Sequence, residues 1–369
     1  MTERNITFGK NLKALRKKNG LTRACLAEKI SYSEKSIEKW ESGNSIPPVA
    51  TVCKLAELFS VSVDSLIFTR KVEIKYLLGI DGGGTKTDFL LTDLNGNEIK
   101  RIILGPSNPV SAGIDNTKKC LDQGINQTCG DIDKREISLF VGIAGGISGN
   151  NKETINKFLS SFGFGKLQNA SDTDSALEVA LSGENGVAVI IGTGIVAFCQ
   201  VGGKRHRIGG WGYLIDKGGS GFHLGADALN SALQFVDGRG GSEMILQMIE
   251  KKLRKPLSDS ISEIYQGGNP YIASFSSVVF DSYEKGDREA EKILDRNVSE
   301  IAKIIETGYD LLKGKKGKIV LCGGLCQKQN ILKPFLENQL RKEIQFEFSD
   351  KDMVTGAVSL AKKNINKRG

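Results

Sequence analysis

Histidine is nearly missing from this chain of 369 residues, which has two. Its seven cysteines, at positions 25, 53, 120, 129, 199, 322 and 326, are odd in number and nowhere form a Cys-x-x-Cys pair. These shortages speak against a zinc site or a disulfide framework, and most of the thiols read as small buried hydrophobes in a reducing compartment. No apolar run reaches the roughly 18 residues needed to span a bilayer. The opening stretch MTERNITFGKNLKALRKK lacks the apolar core of a signal peptide. A cytoplasmic protein with no membrane partner is therefore expected.

Acidic charge is scarce at one end. Residues 1–70 hold 12 Lys+Arg against 7 Asp+Glu, a balance of +5, while the remaining 299 residues hold 39 against 36, only +3 of the total +8. Basic excess concentrated in a small segment is where a phosphate-contacting surface is expected. At 39% hydrophobic and 25% charged, the rest has the make-up of an ordinary globular protein with room for two or three domains.

Within that basic segment the apolar spacing predicts short helices on tight turns. Phe8, Leu12 and Leu15 share a face of a first helix that Gly20 ends. Thr22 caps a second, TRACLAEKI, with Leu26, Ala27 and Ile30 inward. Ser33 caps a third, SEKSIEKWE, closed by Gly43, and Pro47 and Pro48 open a fourth, VATVCKLAELF. Leu26-Ala27-Glu28, Ile37, Trp40, Glu41-x-Gly43, Pro47/Pro48, Leu55-Ala56 and Val61-x-Val63-x-x-Leu66 form one ordered set across residues 8–67. That set resembles the phage-repressor (XRE) helix-turn-helix family. The resemblance implies that the third helix enters the major groove, with Ser33, Glu34, Lys35, Ser36 and Lys39 facing bases and Lys35 suited to guanine, Glu34 to cytosine. Arg23, standing where that family often has a phosphate-touching glutamine, is expected to contact the backbone, as are Arg16, Lys17 and Lys18. A homodimer on a paired double-stranded DNA operator is expected.

Beyond a short linker at 70–75 the patterning changes to strands. YLLGI runs into Asp81-Gly82-Gly83-Gly84-Thr85-Lys86-Thr87 and then into a second strand, DFLLTD, with Asn95-Gly96 turning it into a third. The glycine run lacks the Gly-Lys-Ser/Thr ending of a P-loop, and a strand rather than a helix follows, so it is no dinucleotide fingerprint. Strand, acidic residue, glycine turn and strand make a phosphate-binding hairpin, in which backbone amides approach the phosphates and Thr85, Lys86 and Thr87 add donors. Asp81 is placed to hold Mg2+ through water. VAVIIGTGIVAFCQV repeats the pattern around Gly192, Thr193 and Gly194, and KIVLCGGLCQ brings Gly323 and Gly324 toward an adenosine. DMVTGAVSLAKK reads as a closing helix, 352–364.

In this order the motifs resemble the actin/hexokinase/heat-shock-chaperone fold, two lobes closing on ATP. The expected architecture is an all-α helix-turn-helix domain (1–69) followed by an α/β two-lobed actin-like ATPase of ribonuclease H-like fold. Lobe one would cover about 76–180 and lobe two about 181–345. GIDGGGTKTDFLLTD, PSNPV, VGIAGGIS, SDTDSALEVAL and GGWGYLIDKGGSGFHLGADAL are similar to eukaryotic-type N-acetylglucosamine kinases, within the larger BadF/BcrA-type family that includes dehydratase-activating ATPases. That likeness implies ATP and Mg2+ as cofactors and an amino-sugar pocket formed by Asn108, Gly145, Trp211 and Gly212. It also implies Asp174 as the base toward the sugar hydroxyl, with Asp172 a nearby alternate and plain helix capping the competing role. Where such kinases carry Gly-Asp-Glu-Gly-Ser this chain has Asp216-Lys217-Gly218-Gly219-Ser220, and Ile195 follows the second hairpin in place of serine. A one-residue shift would let Asp216 substitute for the family aspartate.

Three functions compete. The first is a DNA-binding regulator whose second module phosphorylates an amino sugar with ATP. The second is a non-catalytic sugar and ATP sensor, and the third an iron–sulfur ATPase that activates a dehydratase, whose cysteine placement Cys120, Cys129, Cys322 and Cys326 match poorly.

Overall fold

The computed structural model describes residues 3–68 and 72–366, and the chain divides between Glu73 and Ile74 into two compact units. The first is five helices: α1 (Glu3–Lys18), α2 (Arg23–Ile30), α3 (Glu34–Glu41), α4 (Val49–Phe59) and α5 (Val63–Ile67). Thr22 and Ser33 cap α2 and α3 by accepting the amides of Cys25 and Ser36. Phe8, Leu12, Leu26, Ile30, Ile37, Trp40, Leu55 and Phe59 fill the centre. The fifth helix, where four were expected, is short and weakly periodic. It is capped by Ser62, buries Leu66 and is tied to α1 by Asn11, whose Nδ2 donates to the carbonyls of Ser65 and Leu66 at 3.1 and 3.2 Å.

The second unit is built on two five-stranded sheets with the same plan. The strands of the first are β1 (Tyr76–Gly82), β2 (Thr87–Asp93), β3 (Glu98–Leu104), β4 (Ile137–Ile143) and β5 (Lys166–Ala170), in the order β3-β2-β1-β4-β5. β1 to β3 form an antiparallel meander, and β4 and β5 add in parallel to β1. The Asp93 carboxylate shapes the turn between β2 and β3 by accepting the amides of Asn95 and Asn97 at 2.8 and 2.9 Å. The second sheet repeats the arrangement with β6 (Gly186–Ile191), β7 (Ile195–Val201), β8 (Lys204–Gly209), β9 (Lys318–Cys322) and β10 (Glu347–Phe348), in the order β10-β9-β6-β7-β8. Interior β4, ISLFVGI, is buried along its whole length, and its one polar side chain, Ser138, donates to the Ala361 carbonyl at 2.7 Å.

Helices α6 (Pro109–Ala112), α7 (Ile114–Cys129) and α8 (Asn151–Ser160) belong to the first lobe, and α9 (Asp172–Leu181) links the sheets. α10 (Gly221–Val236), α11 (Glu243–Leu253), α12 (Ile261–Ala273), α13 (Ser276–Glu284), α14 (Arg288–Leu311) and α15 (Gln329–Gln339) build the second. The last helix, α16 (Met353–Ile365), returns to the first lobe, where Val354, Ala357 and Ala361 pack on Leu77, Leu90 and Phe140. Of the expected linker, residues 70 and 71 lie outside the described residues. Lys75 already belongs to the second unit, its amide donating to the Glu136 carbonyl at 2.8 Å. Among the described residues no helix is long and apolar enough to cross a membrane.

Candidate functional site

Parallel pairing of β1 with β4 sets Asp81 beside Gly142, and a Cβ on Gly142 would stand 3.3 Å from the Cα of Asp172. The start of α9 therefore lies across the strand end that carries Asp81. Both carboxyls respond. Asp81 is pushed up to about 7, first by burial and then by the charges of Asp172 and Asp88, with Lys86 pulling the other way. Asp172 is raised chiefly by burial, against a hydrogen bond from Ser171 Oγ at 2.9 Å. A carboxylate so crowded by burial and like charge is a fit place for a hard divalent cation, which would favour its ionised form. Among the described residues no group of three or more His, Cys, Asp and Glu side chains forms a ready metal cage. Mg2+ bound here would complete its shell with water and phosphate oxygens.

A cavity of about 250 Å3 opens beside Asp81. Lys86 and Asp88 line it from the first hairpin, and Gly323, Gly324, Gln327 and Gln329 from the end of β9 and its 3-10 turn. Asp350, Lys351 and Asp352 close it ahead of α16. Arg101 on β3 bridges Asp88 at 2.5 Å and Asp352 at 2.8 Å, pinning the start of α16 to the first sheet. None of this acidic clamp was anticipated. Its only sequence trace is the run Ser349-Asp350-Lys351-Asp352 before the closing helix.

The expected cofactor residues separate. Gly83, Gly84, Thr85 and Lys86 lie on the accessible turn. Gly82 and Thr87 are corrected: both are buried. A Cβ on Gly82 would stand 2.2 Å from Ser107 Oγ, so this glycine serves packing. The Thr87 hydroxyl donates to Gly105 O and Ser107 Oγ, both at 2.8 Å, and is closed to phosphate. In the second hairpin the carbonyls of Gly192 and Thr193 accept the first amides of α10, from Gly221 at 2.8 Å and Phe222 at 3.0 Å. Gly192, Thr193 and Gly194 lie outside the lining of the cavity that holds Asp81 and Lys86.

Asn108 caps α6 through the Val110 amide, and its Oδ1 lies 2.6 Å from where a Cβ on Gly145 would fall, so these two expected sugar residues adjoin. Asp174, the expected base, has both carboxylate oxygens engaged. One of its oxygens accepts the Ser171 amide in a capping box, and the other pairs with Arg205 Nη1 at 2.6 Å. It thus fills the capping role, which is compatible with catalysis, and Asp172, the alternate, is the neighbouring carboxyl whose charge acts on Asp81. Trp211 is 64% exposed with the Arg207 guanidinium stacked 4.6 Å from its ring, and Gly212 beside it donates its amide to Asp216 Oδ2 at 3.0 Å. Asp216 is thereby engaged within its own loop, while Lys217 is exposed.

In the first unit Arg16 is corrected as a phosphate contact. It is buried, its Nε 2.5 Å from Glu41 Oε1 and its Nη2 3.1 Å from Oε2. Burial works to raise the Glu41 carboxyl, yet Arg16 and Arg23 together hold it below the usual carboxylate range. Arg23 donates its Nε to Glu41 at 2.8 Å, so part of this side chain is structural. Ser33 and Ser36 bond each other at 2.8 Å. Glu34, Lys35 and Lys39 project from α3, as Lys17 and Lys18 do from α1.

A five-helix headpiece presenting a capped α3, joined to duplicated ribonuclease H-like lobes with an acidic, glycine-lined cleft, defines a helix-turn-helix protein fused to an actin-like ATPase. The chain belongs to the BadF/BadG/BcrA/BcrD ATPase family, whose match covers residues 78–361, and residues 12–66 match a helix-turn-helix family. It is 30% identical over 310 residues, 79% of this chain and all of the other, to an N-acetylmuramic acid/N-acetylglucosamine kinase of Clostridium acetobutylicum. A 62-residue stretch, 17% of this chain and 30% of the other, is 37% identical to the helix-turn-helix transcriptional activator BcrR of Enterococcus faecalis. The fold is shared with the crystal structure of a candidate N-acetylglucosamine kinase from Chromobacterium violaceum, with a TM-score of 0.64 and 24% identity over 78% of this chain and 99% of that one.

Proposed function

We propose that this protein is a DNA-binding transcription regulator whose second unit binds ATP with Mg2+ and an amino sugar of the N-acetylglucosamine class and phosphorylates it. The observation that carries the reading is Asp172, half-buried at the head of α9, its carboxyl raised by burial and coupled to that of Asp81. Phosphoryl transfer needs an aligned hydroxyl, a carboxylate to accept its proton, and donors that hold the phosphates. Asp172 accepts the proton, and its raised basicity suits that task. Asn108 and Gly145 hold the sugar, the amides of Gly83 and Gly84 with Lys86 hold the phosphates, and Asp81 holds Mg2+. When bound, the cation neutralises charge on the transferred group. Glu34, Lys35 and Lys39 meet base edges of an operator bound by two copies of the chain.

A coupled assay over a panel of hexosamines tests this reading. Turnover that survives Asp172→Asn at the wild-type rate would sink it. Regulation requires that the sugar bind DNA-competent and incompetent states unequally. Duplexes selected from a random pool should therefore change affinity when sugar is added, and equal affinity with and without sugar removes the coupling.

One observation favours a second reading, the non-catalytic sensor. The loop that resembles the kinases' acidic segment has lost its glutamate at Gly218, carries Lys217 in place of aspartate, and keeps Asp216 turned onto the Gly212 amide. Retained sugar binding with no turnover on any hexosamine decides for it.

A further inference from the structure

Asn297 lies on α14, 2% exposed, with every polar atom of its side chain engaged. Its Oδ1 accepts the Gly219 amide at 3.0 Å. Its Nδ2 donates to Asp227 Oδ2 at 2.8 Å and to the Ile293 carbonyl at 3.0 Å. Asp227, on α10, is held in turn by Arg296 at 3.0 Å. Gly219 is the last residue before Ser220, the N-cap of α10, and the next two amides are those that grip the carbonyls of Gly192 and Thr193. The loop sits directly on α14. A Cβ on Gly218 would stand 2.9 Å from Glu300 Cγ, and one on Gly219, whose φ is +80°, 2.9 Å from Ile301 Cγ1. Buried amide-to-backbone bonds of this kind hold one arrangement, because the alternative leaves polar groups unpaired.

We infer that Asn297 is a positioning residue for nucleotide: by fixing the Gly219 amide it sets the start of α10, and through it the Gly192–Gly194 turn. That turn lies outside the cavity of Asp81 but meets its wall at Gly323, where a Cβ would stand 2.4 Å from the Ile191 carbonyl oxygen, and it would add a second contact to a bound triphosphate. The inference rests on the nucleotide-binding reading above. It also explains how this loop stays ordered with glycine at 218, since α14 supplies from outside the anchor that the loop has no side chain to make.

The test uses the full chain with Asn297→Asp, Asp227→Asn and the double exchange. Asn297→Asp keeps an acceptor for Gly219 but sets two carboxylates side by side, and the double exchange restores a donor–acceptor pair. Two readouts are followed: amide hydrogen exchange over 191–195 and 219–224 without ligand, and affinity for ATP–Mg2+ and for adenosine. Asn297→Asp is expected to speed exchange in both segments and weaken ATP about two- to tenfold, the worth of one hydrogen bond. Adenosine affinity should stay within about twofold under the same principle, and the double exchange should recover both readouts. Unchanged exchange at 191–195, or parallel loss of ATP and adenosine, overturns the inference. Wild-type protein that couples the two segments yet binds no ATP overturns the nucleotide reading instead.

Discussion

Replacing Asp81 by asparagine separates the cost of the site from its use. In the unfolded chain the Asp81 carboxyl ionises near 3.8, whereas in the cleft it is pushed up to about 7, by burial first and then by Asp172 and Asp88. Because the folded value is the higher, the native state keeps a proton that the unfolded chain has released. The linked stability is therefore fully present below about pH 3.8 and is lost as pH rises toward 7. About three pH units at roughly 1.4 kcal/mol each bound the loss at about 4 kcal/mol. Asparagine carries no charge at any pH. Without nucleotide or Mg2+, Asp81→Asn is thus expected to exceed the wild type in stability at pH 8 by up to about that amount, and to match it near pH 4. Adding ATP–Mg2+ should reverse the order, because ligand that binds only the native state stabilises it in proportion to affinity. Scanning calorimetry of both proteins from pH 4 to 8, with and without ATP–Mg2+, checks this. Superimposable pH profiles for the two proteins would refute the electrostatic account of the cleft.

The two aspartates of α9 should part under mutation. Asp172→Asn is expected to reduce turnover by about 10²- to 10⁴-fold. Asp174→Asn removes a half-exposed ion pair with Arg205 and should change stability by less than about 1 kcal/mol in a thermal melt, with turnover retained. In the first unit Glu41→Gln leaves Arg16 buried without its counter-charge and is expected to destabilise the headpiece by about 3–5 kcal/mol, read from urea unfolding. Gly79→Ala would set a Cβ 2.7 Å from the Val358 amide nitrogen, forcing α16 off β1 at about 1–3 kcal/mol, visible as a lowered Tm.

The first four helices of the headpiece and both glycine hairpins were legible because local signals agree there. Thr22, Ser33 and Gly43 mark helix ends by capping chemistry, and Asn95-Gly96 marks a turn, each within a few residues of what it shapes. The errors fall where a distant residue decides. Arg16 looks like a surface cation until Glu41, 25 residues on, draws it inward. Thr87 looks like a phosphate ligand until Ser107 and Gly105 take its hydroxyl. Asp172 and Asp174 are equivalent on paper, two acids in the first turn of one helix. Only the parallel pairing of β1 with β4 tells which one approaches Asp81, and only β8 brings Arg205 to the other. Asn297 left no signal, being one polar residue in a long amphipathic helix.

The return of α16 carries a consequence for how the protein comes into being. Its residues cover Gly79, Leu77 and Phe140, and Ala361 accepts a hydrogen bond from Ser138, 223 positions earlier. Sheet one thus keeps a bare apolar face until nearly the whole second unit has been made. The headpiece is a compact unit of its own that ends at Glu73. At ordinary synthesis rates the interval between the two is roughly 15–60 s. For that time a helix-turn-helix head trails a half-built lobe, the form in which a nascent chain is most exposed to chaperones and proteases.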